Sequence, residues 1–453
     1  MPNENRFERG ETMKLARLGR LAVLGAAVAL AVTAVAQANE VTKWNEIAVG
    51  TINAQAPLTS APPAGAVFMA MVQGAVYGAV NAVDRHGRPY LVYRSYPKAS
   101  ADAAAATAAF RVLDSLFSAT DHAALQAAYD ASLLAIAPGA SKNQGIEVGG
   151  LAADAMLAEG HDSRTVIGCT FGSGLPGVWQ PLGPPGAPIC DPTVWVGNAK
   201  PFVLKSPSQF RTAGPYPLDS PEYAADFKEV EAIGKIDSAT RTDGQTHAAA
   251  FWQTNPAANY NAIARRFADQ LGLGVSDSAR LFAMLDLSSA DALITTWNDK
   301  YYWNFWRPIT AIRQGGADGN SDTEEDAGWT PLFSSGFPTS PPLPASPLPI
   351  GGIGGPLGTP PYPDHPSGAT SYASASMHAL ASFFGSDEMP FYATSSRFPG
   401  EQRAFTRFSD LTNEIVGARI WAGIHFRNTD VQAANLGRDV ESYINTQYFA
   451  FVH

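Results

Sequence analysis

Residues 276–308 read SDSARLFAMLDLSSADALITTWNDKYYWNFWRP. Ser276 to Trp306 is one long helical stretch, stopped at Pro308, whose ring cannot continue a helix. Near its end stand two cations, Lys300 and Arg307. Their spacing is close to two helical turns, so both lie on one face, about 10 Å apart along the axis. Tyr301, Tyr302, Trp303, Phe305 and Trp306 surround them. Two like charges in an apolar setting repel each other, and they make sense together when an anion sits between them. A solvated basic face on an amphipathic helix is the other reading, and this segment alone does not separate the two.

Helical patterning extends in both directions. Upstream, Val67 to Asp84, Ala99 to Phe117, a stretch capped by Asp121 and running toward Ala137, and Asn143 to Glu159 form four helices with short connections, expected to pack as one bundle. Further helices are expected at Ser220 to Ile233, Asp243 to Gln253 and Asn259 to Leu271. Downstream, helices are expected at Ser367 to Phe384, from about Gly400 to Phe426, and from Val431 to Thr446. Two Gly/Pro-rich loops interrupt the pattern, Gly172 to Pro217 and Gly315 to Pro366. The first carries Trp179, Trp195 and Phe202, which suits an ordered loop draped over the bundle. Little or no sheet is expected. The fold class is therefore all-α, two four-helix bundles with long loops, divided at residues 39–274 and 275–453.

The bulk properties agree with a globular chain. Its 453 residues are 45% hydrophobic and 16% charged, with a formal net charge of −10. That balance excludes a broad basic surface for nucleic acid. Residues 1–38 read as a signal peptide: Lys14, Arg17 and Arg20 precede an apolar run from Leu21 to Ala36, and Ala36-Gln37-Ala38 supplies a cleavage site. Translation from Met13 would give the more usual n-region. The expected product is exported, periplasmic or secreted. No other stretch is expected to cross a bilayer, so no stable membrane anchor remains after cleavage. Cys169 and Cys190 are the two cysteines; in an exported protein they form a disulfide candidate rather than a metal site.

Two further segments carry chemistry. Pro366-Ser367-Gly368 opens a helix, where free N–H groups and the helix dipole favour an oxyanion, Ser367 adds a donor and Gly368 permits close approach. An ordinary serine cap reads equally well from that segment alone. Arg419-Ile-Trp-Ala-Gly423-Ile-His425 offers a guanidinium fork, a glycine expected to leave room beside the site, and an imidazole able to act as nucleophile or metal ligand.

In this order the three segments resemble the signature shared by vanadium-dependent haloperoxidases and the type 2 phosphatidic acid phosphatases: K-x6-R-P, P-S-G-H and S-R-x5-H. Met71 to Asp84, Lys200 to Val203, Glu229 to Gly234, Arg241-Thr242 with Gln245, and Phe251-Trp252 resemble bacterial haloperoxidase-like proteins, so the likeness runs from about residue 63 to 445. The resemblance implies that His425 is the apical ligand of vanadate, or the phosphorylated nucleophile of a phosphatase. It implies that Lys300, Arg307, Ser367, Gly368 and Arg419 hold the equatorial oxygens. It places Trp297 and Tyr362 at the halide or substrate pocket. Hydrogen peroxide and a halide or small organic molecule would be the reactants, with Lys300 polarising the peroxide.

The chain also departs from the pattern. Ala369 stands where the family has its acid/base histidine, a group typically worth ~10²–10⁴ in rate. His365, before the turn, is a candidate substitute, and His378 reads as structural. Ala418 replaces the serine before the arginine. Thr429 stands where an aspartate four residues after the terminal histidine is usual, with Asp430 next to it, so the group that orients His425 is undefined by sequence. A phosphatase, a weak oxyanion-binding homologue and a vanadate enzyme acting on an organic substrate are the rival readings.

Overall fold

The computed structural model describes residues 39–165, 172–181, 190–332 and 358–449. The expected signal peptide lies outside the described residues, as do Cys169 and the middle of the second loop. Cys190 is disulfide-bonded.

The first group of helices comprises α1 (Glu40–Asn53), α2 (Pro62–Asp84), α3 (Ala101–Ala135) and α4 (Ala140–Ala158). Helix α1 was not among the expected helices. The Asn39 side chain accepts from the backbone N–H groups of Val41 and Thr42, and Val41, Trp44, Ala48, Val49 and Ile52 bury one face. Helix α3 runs unbroken through Asp121, which was expected to start a new helix. No Gly or Pro interrupts Ala101–Ala135, and one interior Asp costs under ~1 kcal/mol in helix propensity. Asp121 instead accepts from Gln55 Nε2 at 2.8 Å. The four helices of this group are thus not the four expected. Helices α3 and α4 cross closely: a Cβ on Gly149 would stand 2.5 Å from the Ala104 carbonyl oxygen.

Helices α5 (Pro221–Gly234), α6 (Asp243–Phe251) and α7 (Pro256–Leu271) lead to α8 (Val275–Trp303) and the short α9 (Pro308–Arg313). The second group is α8, α10 (Gly368–Phe384), α11 (Phe408–Trp421) and α12 (Arg427–Ile444). Helix α8 packs along α2 as well as on α10 and α12, so the cores of the two groups are continuous across residue 275. By length and mean hydropathy α2 could cross a membrane, contrary to the sequence expectation, but 94% of that span is buried inside the protein.

One hairpin breaks the helical pattern. Strands β1 (Glu388–Ser395) and β2 (Phe398–Arg407) pair antiparallel, with Phe391 opposite Phe405. The helix expected from about Gly400 therefore begins only at Phe408. The first long loop lies against α8, as expected: the N–H groups of Phe202, Val203 and Leu204 donate to the buried Asp291 carboxylate. Further along, Thr212 donates to Asp299 through both its backbone N–H and its hydroxyl.

Candidate functional site

The three chemical segments meet at one end of the second group. Lys300 lies in the last turn of α8, Arg307 immediately precedes α9, Ser367 immediately precedes α10, Arg419 lies in the last turn of α11, and His425 stands in the turn before α12. All five side chains are buried. Gly368, Arg419 and His425 line a cavity of about 120 Å³, together with Trp297, Tyr362 and Ala369. Tyr260 and Tyr372 contribute phenols to the same cavity, and neither was singled out in the sequence because aromatics at helical spacing read as core.

Arg307 stands against His425. Its Nε donates to the Tyr362 carbonyl at 2.8 Å and its Nη1 to the Ile424 carbonyl at 2.8 Å. Nη1 is also 3.1 Å from His425 Nε2. Arg307 Nη2 and Arg419 Nε are buried donors with no hydrogen-bond partner among the described residues. Leaving a buried donor unmade typically costs ~1–3 kcal/mol, so such atoms point to an acceptor that completes the site. Burial pushes the His425 pKa well below its usual value, and the charges of Arg307, Lys300 and Arg419 push it further. The ring is neutral and carries a lone pair, the state a metal ligand requires.

The start of α10 adds to this. The Ser367 hydroxyl does not cap its own helix; it lies 3.3 Å from Thr370 Oγ1. The first turn thus keeps its dipole uncompensated by a side-chain cap, with Gly368 and Ala369 at the cavity. A Cβ on Gly368 would stand 2.6 Å from the Trp297 indole. Trp297 is held in turn, its Nε1 donating to Asp191 Oδ2 at 3.0 Å, and Tyr301 donates to the same oxygen at 2.6 Å. Trp297 and Tyr362 pack ring to ring at 5.1 Å. Thr370 donates to the buried Asp430, whose pKa burial lifts to about 7 against the pull of Thr370, Ser367 and Arg419.

Three sequence expectations are corrected by this geometry. Lys300 does not face the cavity. Its ammonium donates to the carbonyls of Pro363 (2.9 Å), Asp364 (2.9 Å) and Pro366 (2.6 Å), which takes up its three protons and fixes the loop ahead of α10. His365 does not reach the cavity either: Nε2 pairs with the Thr212 hydroxyl at 3.0 Å, Nδ1 lies 3.4 Å from Thr429 Oγ1, and burial lowers its pKa to about 3. Gly423 does not leave room for an anion. With φ at +73°, it sits where a Cβ would be 2.4 Å from the Gly234 carbonyl oxygen, so it serves the contact between α5 and the turn after α11. His378, read as structural, bonds through Nδ1 to the Ser374 carbonyl of its own helix.

The residue that sequence reading missed altogether is Asp364. It is fully buried, with Oδ1 at 2.8 Å from His425 Nδ1 and Oδ2 accepting from the Thr429 hydroxyl. Burial raises its pKa to about 6, against the pull of Arg307. Oδ1 is close to the imidazole in distance but off the line of a hydrogen bond. A small rotation of either group would align this pair, which is already in contact. Adjacency to the Pro-Ser-Gly turn was the one available signal for Asp364.

Comparison with known proteins agrees with this geometry. Residues 280–452, which contain all six site residues, match the family described as the VCPO second helical-bundle domain. Over 182 residues the chain is 29% identical to vanadium chloroperoxidase of Curvularia inaequalis, covering 32% of this chain and 29% of that protein. Among solved structures, a bacterial vanadium-dependent iodoperoxidase superposes with a TM-score of 0.71 at 22% identity, over 92% of this chain and 97% of its own. A holo-type bacterial vanadium-dependent chloroperoxidase gives a TM-score of 0.62 at 18% identity, over 87% of this chain and 93% of its own. At these identities the likeness to solved structures is one of fold.

Proposed function

We propose that this chain, which has the fold of the bacterial vanadium haloperoxidases and matches the VCPO second helical-bundle domain over residues 280–452, is a vanadate-dependent, haloperoxidase-like enzyme. The observation that carries this reading is the set of unanswered groups around one cavity. These are Arg419 Nε and the uncapped start of α10 at its wall, and Arg307 Nη2 behind the neutral His425 imidazole that lines it. An oxyanion with a coordinating centre completes all of them.

His425 would hold vanadate through a ring nitrogen. Arg419, Arg307 and the first-turn amides of α10 would hold its oxygens, with preorganised donors acting in a dry site. When bound there, vanadate supplies the Lewis acidity that activates hydrogen peroxide toward a halide or small organic molecule. Lys300 acts one step removed, by fixing the carbonyls of residues 363–366. Trp297 and Tyr362 give the cavity an aromatic wall. Ala369 presents a methyl group to the cavity and so moves no proton.

The test uses purified protein with and without vanadate. Peroxide- and bromide-dependent dye bromination that requires vanadate is the expected result. Vanadate-inhibited hydrolysis of an aryl phosphate, with no bromination, would replace this reading by a phosphohistidine enzyme. Binding without either activity would leave an oxyanion-binding homologue. We also propose export, with cleavage after Ala38. Asn39 would then be the first mature residue and already caps α1, and a mature mass beginning at Asn39 is the expected readout.

A further inference from the structure

We propose that Asp364 is the positioning residue of His425, standing in for the aspartate that this chain lacks four residues after that histidine. The inference rests on His425 as the vanadate ligand. The shorter contacts on the ring favour one tautomer, Arg307 Nη1 standing nearer to Nε2 (3.1 Å) than to Nδ1 (3.4 Å). Arginine has donors only, so Arg307 Nη1 at 3.1 Å from Nε2 requires a lone pair there. The carboxylate oxygen 2.8 Å from Nδ1 accepts only, and it favours a proton on that nitrogen once a small rotation brings the two groups into line. The ring is therefore Nδ1–H, and the Nε2 lone pair that Arg307 Nη1 now faces is the one that would coordinate vanadate once Arg307 turns its proton to an oxygen of the bound anion.

Asp364 is itself held on every side. Its N–H donates to the Phe305 carbonyl at 2.9 Å, its own carbonyl accepts from Lys300, and its Oδ2 accepts from Thr429. Thr429 occupies the position of the missing aspartate. The hydroxyl there no longer touches the imidazole directly and instead aims a carboxylate supplied by another segment. Behind it His365 packs 3.4 Å from Thr429 Oγ1 and is itself fixed by donating from Nε2 to the Thr212 hydroxyl, so the carboxylate has little freedom to turn away.

The experiment reads the His425 tautomer by nitrogen NMR of the metal-free protein, with the resonance assigned through His425→Ala. Wild type is expected to show protonated Nδ1 and bare Nε2. Asp364→Asn is expected to melt as the wild type does, to mix the tautomers, and to weaken vanadate binding by roughly 10–100-fold, the usual effect of removing a group that orients a metal-bound histidine. Adding Thr429→Asp restores a carboxylate at the more usual position and is expected to recover both signals. If Asp364→Asn does not fold, Thr429→Val carries the test, because it frees Oδ2 while keeping the carboxylate, and it must also mix the tautomers. A wild-type ring protonated on Nε2, or a tautomer unchanged by these substitutions, overturns the proposal. Tautomer shifts in a protein that binds no vanadate would leave the positioning intact and remove the functional reading instead.

Discussion

Ala369 and Gly368 are neighbours at the start of α10, yet substitution is expected to act oppositely at the two positions. Ala369 borders open cavity, so Ala369→His places an imidazole where the family keeps its acid/base group. If the proposed activity holds, vanadate-dependent bromination is expected to rise by ~10²–10⁴-fold; an unchanged rate would show that proton transfer does not limit the proposed reaction. Gly368→Ala drives a methyl into Trp297. Overpacking of that kind costs about 1–3 kcal/mol, and the indole must leave Asp191, so a lower denaturation midpoint and shifted tryptophan emission are expected together. The segments carrying Lys300, Arg307, Ser367, Gly368, Arg419 and His425 were legible as candidates because they keep the order and spacing of the signature they resemble, and the structure brings them to one end of the second group. Their roles were less so. Nothing in residues 300–307 says that the ammonium turns toward backbone carbonyls of a loop some sixty residues on. Nor does the sequence say that Asp364 meets His425, since that contact exists only once two loops close on each other.

At the scale of elements, the helices with strong breakers at their ends were the easiest to read. Helix α10 stops at Gly385, where the sequence placed its end, but α8 stops at Trp303, short of the expected Trp306: Asn304 turns left-handed (φ +47°), so Arg307 does not share a helical face with Lys300 and instead opens α9. The errors came from weak local signals. Asp121 resembles a cap, but nothing nearby breaks a helix, so α3 runs through it. The hairpin was missed because helical patterning was carried back across Gly400 into residues whose fate depends on partners elsewhere. Those partners are specific: Arg403 forms two hydrogen bonds of 2.7 Å to Glu414 of α11, and Trp252 Nε1 donates to the same carboxylate. Glu414→Ala is expected to lower unfolding free energy by roughly 1–2 kcal/mol, at the modest end for charged hydrogen bonds because the pair is partly exposed. A urea midpoint equal to that of the wild type would mean that packing alone holds the hairpin.

Across the whole molecule, buried carboxylates serve as internal anchors, and they couple stability to pH. Asp286 in α8 is fully buried, accepts from Asn261 at 3.0 Å, and has its pKa raised by burial from 3.8 to about 7. A carboxyl held above its unfolded value contributes most below about pH 4, and that contribution is lost as pH rises through about 7. The slope is at most ~1.4 kcal/mol per pH unit for one group. Asp286→Asn is expected to flatten the decline between those limits, measured by denaturant unfolding across pH; an identical slope would assign the decline to other groups. The continuous core around α8 also anchors the candidate site, since that helix packs on the first group along α2 while the Lys300 ammonium in its last turn ties down the loop ahead of α10.

The most direct measurement is equilibrium binding of vanadate to the purified protein, followed by vanadium NMR, beside His425→Ala and Arg419→Ala. One saturable site per chain, competed by inorganic phosphate and lost in both variants, is the predicted result. Absence of saturable binding in the wild type, or binding that survives removal of the imidazole, would contradict the assignment of this cavity.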